Sequence, residues 1–546
     1  MDNLPATSSL APLQNKTFRA IWIASILSNF GGMIQAVGAG WMMTSLSDSA
    51  NMVALVQAST TLPVMVFSLI SGAIADGFDR RRIMLLAQFF MISASACLAI
   101  FAWLDLLTPW VLLGFTFLIG CGIAFNNPAS QAAVGDIVPR EDVPAAVLLN
   151  SVGFNVTRSI APAIGGVIVA IAGAAVAFVI NTLTYIGLIV VLWRWQPNLP
   201  ERTLPREPLF SAVTTGMRYI AMSPNIAKVM LRGFIFGLTA IVVLALLPLV
   251  ARDLIQGGAQ TFGVLLGAFG VGAVAGAMIS RPARERFENE ILVRLAFIAL
   301  AGCAAITALS ASIWLTGIGL LLGGAAWIFA LSMFSTTVQM STPRWVVGRA
   351  ISLYQMSVFG GMALGSWLWG GVTEANSLEF ALNIAALAML AGAAMGIPIP
   401  LPSKEMLNLD PLNRWQAPLI ALQIEPTSGP VAISIEYHIK AESIPEFMPL
   451  IAQRRRIRRR DGAHEWTLLR DLQNPEIWVE RFEMPTWLDY LRFHMRTTHA
   501  DGKVSDQIQA LHQGTWPPTV RRMLIRDPIR SRTDPVAPPL AGDIHL

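Results

Sequence analysis

Gly72-Ala-Ile-Ala-Asp76-Gly-Phe-Asp79-Arg80-Arg81-Arg82 is a short polar interruption between two long apolar runs. Crossing the hydrocarbon core takes about 20 apolar residues of helix, and each flank supplies that length. The stretch therefore reads as a tight loop joining two membrane helices. Gly72 lets neighbouring helices approach closely, Asp76 stands where the first helix ends, and the three arginines hold the loop on the cytoplasmic side. The loop recurs. Gly276-Ala-Met-Ile-Ser280-Arg281-Pro-Ala-Arg284-Glu-Arg286 keeps the glycine and the arginines, with Ser280 where Asp76 stands. Gly276 follows Gly72 by 204 residues, and Pro343 of Thr342-Pro-Arg344 follows Pro139 of Val138-Pro-Arg140 by the same 204. Two landmarks in one register mark a tandem duplication with parallel halves, a common way of building transporters.

Composition agrees with a membrane chain. Of 546 residues, 54% are hydrophobic and only 13% charged, about half the charge of a soluble domain. Charge is sparse before residue 400 and dense after it, which divides a membrane part from a soluble tail. The net charge of +5 does not call for nucleic acid, because cytoplasmic loops of membrane proteins collect Lys and Arg. Cys97, Cys121 and Cys303 all lie inside apolar runs; they form no disulfide framework and no metal spacing. Neither a cofactor nor a metal is expected. The first apolar stretch is too long for a signal core and lacks a cleavage site, so it reads as an anchor.

Twelve candidate spans emerge, six over about 18–195 and six over about 224–398. They give a cytoplasmic N-terminus (1–17), an N-terminal six-helix half (18–195), a charged central loop (196–223) and a C-terminal half (224–400). A linker (401–429), a soluble domain (430–527) and a disordered tail (528–546) follow. Arg80 to Arg82, Arg140, Arg202, Arg206, Arg218, Arg281, Arg284, Arg286, Arg344 and Arg349 fall in or beside the even-to-odd loops. The opposite loops carry Asp48, Asp105, Asp253, Glu374 and Glu379, with Arg252 almost alone as a cation. The positive-inside rule then places both termini in the cytoplasm.

The Gly72 loop resembles the signature G-x-x-x-D-x-x-G-R-R/K between helices two and three of the major facilitator superfamily, with Asp79 in place of the second glycine. Ala161-Pro162-Ala-Ile-Gly165-Gly166 in helix five resembles the G-P-x-x-G-G element of exporters in that superfamily, the antiporter motif. Asn-Pro-Ala-Ser-Gln, Val-Pro-Arg-Glu and Leu-Tyr-Gln-Met resemble the branch that holds enterobactin exporters and macrolide or multidrug efflux carriers. The resemblance covers about residues 15–400. It implies an all-α polytopic fold with 12 transmembrane helices in two six-helix halves, and alternating access about a cavity lined by helices 1, 4, 7 and 10. Proton-driven antiport and a bacterial inner-membrane location follow from the same resemblance, as does a docking role for the loop aspartate. A gate of Gly72, Asp76, Arg80, Arg81 and Arg349 is the reading, with Asp76 meeting the N-terminal end of helix eleven and Arg349; capping of its own loop is the alternative.

Polar residues inside the spans are the candidates for substrate or coupling. Asn29 and Gln35 in helix one either face the cavity or bond to a neighbouring helix. Asn126 and Asn127 precede Pro128 in helix four, a discontinuity tolerated only against protein or water. Arg158 lies about 15 residues into helix five, roughly 22 Å at 1.5 Å per residue, too far for a comfortable snorkel. Pro162, Gly165 and Gly166 form a pliable, closely packed seam. No Asp or Glu stands in the middle of any span, so the residues do not show where a coupling proton sits.

After Pro402 the pattern changes. Val431–Ile439 alternates as a strand, 442–458 reads as a helix, 465–471 and 477–483 as strands joined at Gln473-Asn474-Pro475, 485–499 as a helix and 520–526 as a strand. That β-α-β-β-α-β order is ferredoxin-like, giving the tail an α+β class. It resembles the antibiotic-biosynthesis-monooxygenase type of domain, in which Trp487 and His494 match common residues and sheets pair as a dimer. The basic run Arg454–Arg460 reads as contact with anionic lipid or as a solvated helix face. The function that follows is export of a small molecule (drug, macrolide or siderophore-like) across the bilayer, by a non-enzymatic carrier. The alternative is a membrane-anchored monooxygenase-like enzyme, or a sensor, acting through the tail.

Overall fold

The computed structural model describes residues 10–526, apart from 140, 197–208, 344, 403–408, 410, 411, 413, 416, 417, 419, 423, 515 and 516. The side chains of Asp76, Arg281 and several residues of 209–215 are also outside the description. Expectations resting on the Asp76 carboxylate, on Arg140, Arg202, Arg206, Arg281 and Arg344, and on the last residues, 527–546, therefore lie outside the described residues.

Six helices build the first half: α1 (Lys16–Leu46), α2 (Ala50–Gly77), α3 (Arg80–Trp103), α4 (Pro109–Ile137), α5 (Val143–Ala172) and α6 (Ala174–Arg194). Their starts are set by side chains that satisfy orphan amides. Asn15 caps α1, Ser49 caps α2 and Thr108 caps α4. Asp79, the residue that departs from the loop signature, caps α3 by accepting from the Arg81 amide at 3.0 Å. A short helix the sequence reading left inside the central loop, α7 (Leu209–Ala221), follows. The second half comprises α8 (Pro224–Leu249, continued by a π turn Val250–Leu254), α9 (Ala259–Arg286), α10 (Asn289–Leu309), α11 (Ile313–Met340), α12 (Val347–Ala375) and α13 (Leu378–Ala394).

Ten of these helices are long and apolar enough to cross a membrane. α12 and α13 occupy the places expected for the eleventh and twelfth spans. Glycines, serine and tryptophans dilute the hydropathy of α12, and α13 is only 17 residues long.

The duplication is visible in three dimensions. Arg80 at the start of α3 donates to the Ala132 carbonyl at 3.2 Å. Arg284, 204 residues later, donates to the Thr336 hydroxyl at 3.3 Å, and Thr336 follows Ala132 by the same 204.

A second compact unit gathers 214–224, 340–347 and the chain from 406 onwards. It holds β1 (Val431–His438), α14 (Ile444–Asp461), β2 (His464–Arg470), β3 (Ile477–Met484), α15 (Trp487–Arg496), α16 (His499–Ala510) and β4 (Thr519–Leu524). The sheet is antiparallel in the order β2-β3-β1-β4. Strand alternation turns Val431, Ile433, Ile435 and Tyr437 with Trp478, Phe482 and Met484 into one core against Phe447, Tyr490 and Phe493. The helix read over 485–499 is two helices, because Thr497 and Thr498 break it and Thr498 recaps α16 through a capping box with Asp501. Within this unit Arg460 lies over the Tyr219 ring at 5.0 Å and Arg496 over the Trp345 ring at 4.5 Å.

Candidate functional site

A cavity of about 170 Å³ opens in the first half between α1, α4 and α5. Asn29, Asn127, Gln131 and Asn150 supply amides to its wall, and Trp22 and Phe154 supply aromatic surface. An apolar pocket with a few convergent polar groups suits a small organic ligand. Asn29 and Asn127, far apart in sequence, are brought together here. Pro128 lies inside α4, directly after Asn127, where the chain borders open space, in line with the rule on helix discontinuities.

Asn126 and Gln35 are placed elsewhere. The Gln88 amide donates to Asn126 Oδ1 at 3.1 Å and ties α3 to α4. Gln35 is buried, and its carbonyl accepts from Ser95 Oγ at 2.8 Å and from the Asn181 amide. A buried amide needs its hydrogen bonds met, and this one is held by α3 and α6 rather than presented to the cavity. The partners Ser95 and Asn181 were not singled out from sequence; Asn181 inside the sixth apolar run was the available signal.

Arg158 lies one turn along α5 from the cavity residue Phe154, on the same helix face. Its guanidinium stands 5.6 Å from the centre of the Phe269 ring on α9. Among the described residues no carboxylate pairs with it. An Arg in the middle of an apolar helix ordinarily faces a cavity or a partner.

The Pro162–Gly166 element forms the packing seam. A Cβ on Gly166 would come within 2.7 Å of the Ala259 carbonyl and 2.8 Å of Gly263 Cα, while one on Gly165 would face α1, 3.1 Å from Ile34 Cα. A Cβ on Gly263 would in turn lie 2.6 Å from the Pro162 carbonyl oxygen, and one on Gly270 2.7 Å from Ser159 Cα. Backbone rests on backbone over more than two turns of α5 and α9.

On the other side α2 runs along α12. Gly72 faces Ser352, whose Oγ would be 2.8 Å from an added Cβ, and Ser68 Oγ donates to the Ser352 carbonyl at 3.2 Å. Arg349 lies in the first turn of α12. Arg80 and Arg81 work within their own half: Arg80 pairs with Asp136 at 2.6 Å, and Arg81 donates to the Leu192 and Trp193 carbonyls at 2.9 and 2.6 Å. The last two are carbonyls of the final turn of α6, which the helix itself leaves without a partner and where a cation is favourable.

A buried ion cluster in the second half escaped the sequence reading. Arg232 on α8, 1% exposed, meets both oxygens of Glu290 at 2.7 and 2.6 Å. Glu290 also takes Arg294 at 2.8 Å and the Leu401 amide at 2.8 Å, so the chain leaving α13 is fastened to α8 and α10. Arg232, nine residues into an apolar run, was its only signal.

A duplicated bundle whose halves meet along two such seams, with an amide-lined cavity beside them, defines a secondary transporter of the major facilitator type. More particularly, residues 7–529 match the family model described as "Transmembrane secretion effector", and the chain belongs to that family. It is 26% identical over 389 residues to the enterobactin exporter EntS of Salmonella typhi, covering 68% of this chain and 91% of that protein. It is also 23% identical over 261 residues to the staphyloferrin A transporter of Staphylococcus aureus, covering 47% of this chain and 64% of that one. Among solved structures, a bacterial homologue of the lysosomal transporter Spinster superposes with TM-score 0.54 at 16% identity, over 71% of this chain and 95% of that one. The nucleoside transporter NupG superposes with TM-score 0.56 at 12% identity, over 70% and 98%. The protein is thus a multi-pass membrane transporter of small molecules, of an exporter family, and not an enzyme.

Proposed function

We propose that this transporter exports a polar, negatively charged organic molecule, of the kind that siderophores exemplify, from the cytoplasm across the bacterial inner membrane. The observation that carries this reading is Arg158, a membrane-embedded guanidinium beside an aromatic ring with no acid partner among the described residues. The amides of Asn29 and Asn127 line the cavity that Phe154, one turn from Arg158, also borders, and the named cargo of the relatives, enterobactin and staphyloferrin A, gives the chemistry a precedent. In this reading α12 and α13 complete twelve spans, both termini are cytoplasmic, and the cavity is the cytoplasmic mouth of the path. Asp76, Gly72 and Arg349 form the gate, Arg80 and Arg81 brace it, and Gln35 and Asn126 hold helices in place. Proton antiport remains the coupling we favour by resemblance. The tail is read as ferredoxin-like, and its dimerisation through the sheet belongs to the same proposal.

Efflux from cells expressing the protein, across dyes, macrolides and catecholate siderophores with and without a protonophore, tests it. Arg158→Ala should reduce export at least tenfold with the protein still in the membrane, whereas Arg158→Lys should keep part of it. Export of a neutral dye with a normal rate in Arg158→Ala would sink the anionic reading.

A further inference from the structure

Around one buried carboxylate of the tail, positive charge outnumbers negative. Glu480 on β3, fully buried, accepts from Arg454 Nε at 3.0 Å and Arg458 Nε at 3.2 Å, both from α14. Tyr437 and Trp466 add hydrogen bonds at 3.1 and 3.0 Å. Burial alone would raise the Glu480 carboxyl; the two guanidiniums and the indole N–H bring it down to about 2. The basic run Arg454–Arg460 is therefore divided. Spacing of i, i+4 turns Arg454 and Arg458 inward, while Arg455, Arg456 and Arg459 stay exposed. One carboxylate faces two arginines, and Arg454 Nη1 is buried without a hydrogen-bond partner among the described residues, on a side chain only 9% exposed. Arg522 on β4, itself exposed, brings a third guanidinium, its Nε donating to the Tyr490 hydroxyl at 2.7 Å. Uncompensated buried charge is unfavourable until an anion joins it.

Beside these arginines two flat rings are stacked. Trp415 lies face to face on His494, with centroids 4.4 Å apart and planes 5° apart, and edge-on to Tyr490 at 5.9 Å. Burial, then Arg458, Arg522 and Arg454, lower the His494 imidazole to about 3, so it is neutral near pH 7. Trp415 belongs to no helix or strand. It comes from the segment entering the tail, which is held by the Leu412 amide on the Thr497 carbonyl at 2.9 Å and by an exposed Arg414–Asp506 pair at 3.1 Å. Exposed pairs of that kind contribute little.

We propose that the tail binds a planar aromatic anion, and that Trp415 is an intramolecular occupant of the ring's place which such a ligand displaces. The ligand's ring stacks on His494, and its carboxylate or phenolate takes up the donors of Arg522 and Arg454. Displacement frees the segment that joins the tail to the last membrane helix, so occupancy of the site is carried into the linker. This inference stands apart from the cargo: a transporter of any substrate could carry such a sensor.

Calorimetric titration of salicylate into the full-length protein in detergent tests it, with cyclohexanecarboxylate and inorganic phosphate alongside. Salicylate should bind the wild type, and Trp415→Ala should bind it at least tenfold more tightly, because the competing internal state is gone. Arg522→Gln should weaken binding at least tenfold; it lies outside the Glu480 bonds and keeps the test readable should Arg454→Gln fail to fold. Hydrogen exchange at the Leu412 amide should speed up on adding salicylate. Equal affinity for phosphate or cyclohexanecarboxylate would overturn the aromatic requirement. A Trp415→Ala protein with an intact near-ultraviolet spectrum that binds no better than wild type would overturn the displacement, and no heat in either protein would remove the site.

Discussion

The two seams between the halves are built from opposite materials. Along α5 and α9 the chain backbones touch: Gly166 and Gly263 rest on each other, and Gly270 meets the backbone at Arg158 and Ser159. Along α2 and α12 side chains mediate most of the contact, through Ser352 at Gly72, Met65 at Gly360 and a Ser49–Glu374 hydrogen bond of 2.9 Å at the far end. Gly166 and Gly370 are 204 residues apart, and both stand at a seam, so the halves began alike and then diverged. In a membrane, helices associate by close van der Waals packing more than by the hydrophobic effect. A backbone-on-backbone seam has no side chain that can move aside, and it suits a pivot. A seam of hydroxyls and a thioether can re-form at small expense, and it suits a door.

Substitutions along the seams can break or sharpen that contrast. The largest effect is expected at Gly263→Val, where an added Cβ meets only the backbone of α5. Overpacking against atoms that cannot yield costs about 3 kcal/mol or more. Export should vanish and the melting temperature in detergent should drop sharply; wild-type stability in this variant would end the pivot reading. Gly360→Ala should be milder, because its nearest neighbour is the Met65 sulfur at 2.9 Å, the far end of a flexible side chain. A loss of about 1 kcal/mol is expected, with export reduced rather than abolished, and a loss as large as that of Gly263→Val would erase the difference between the seams. Glu374→Ala comes last. Removing an exposed acceptor should cost about 0.5–1 kcal/mol, read in denaturant unfolding, and a larger penalty would show that the door depends on this one tie.

How legible was all this in the sequence? The loop at Gly72 and its echo at Gly276 announced a duplicated bundle, and the Arg80 and Arg284 struts repeat it at the same spacing. The seam at Pro162–Gly166 was also readable, since small residues around a proline have few other uses in a membrane helix. The site was legible only in part. Asn29 and Asn127 reach one cavity, yet Gln35, equally polar and on the same helix as Asn29, is tied to Ser95 and Asn181. One-dimensional polarity does not say which way a helix is turned. Likewise Arg454–Arg460 reads as a uniform basic face, while the fold draws Arg454 and Arg458 inward to Glu480.

Sequence alone determined the class of the molecule: the lengths of its apolar runs, the register of the repeat and the succession of strands along the tail. Those follow from local chemistry, because the bilayer forces each long apolar run into a helix whatever its neighbours are. Only the tertiary structure decided which amides meet at the cavity, which glycines bring backbone against backbone, and that Trp415 lies on His494. These depend on contacts between residues far apart in the chain, whose partners are chosen by packing and by the need to pair every buried polar group.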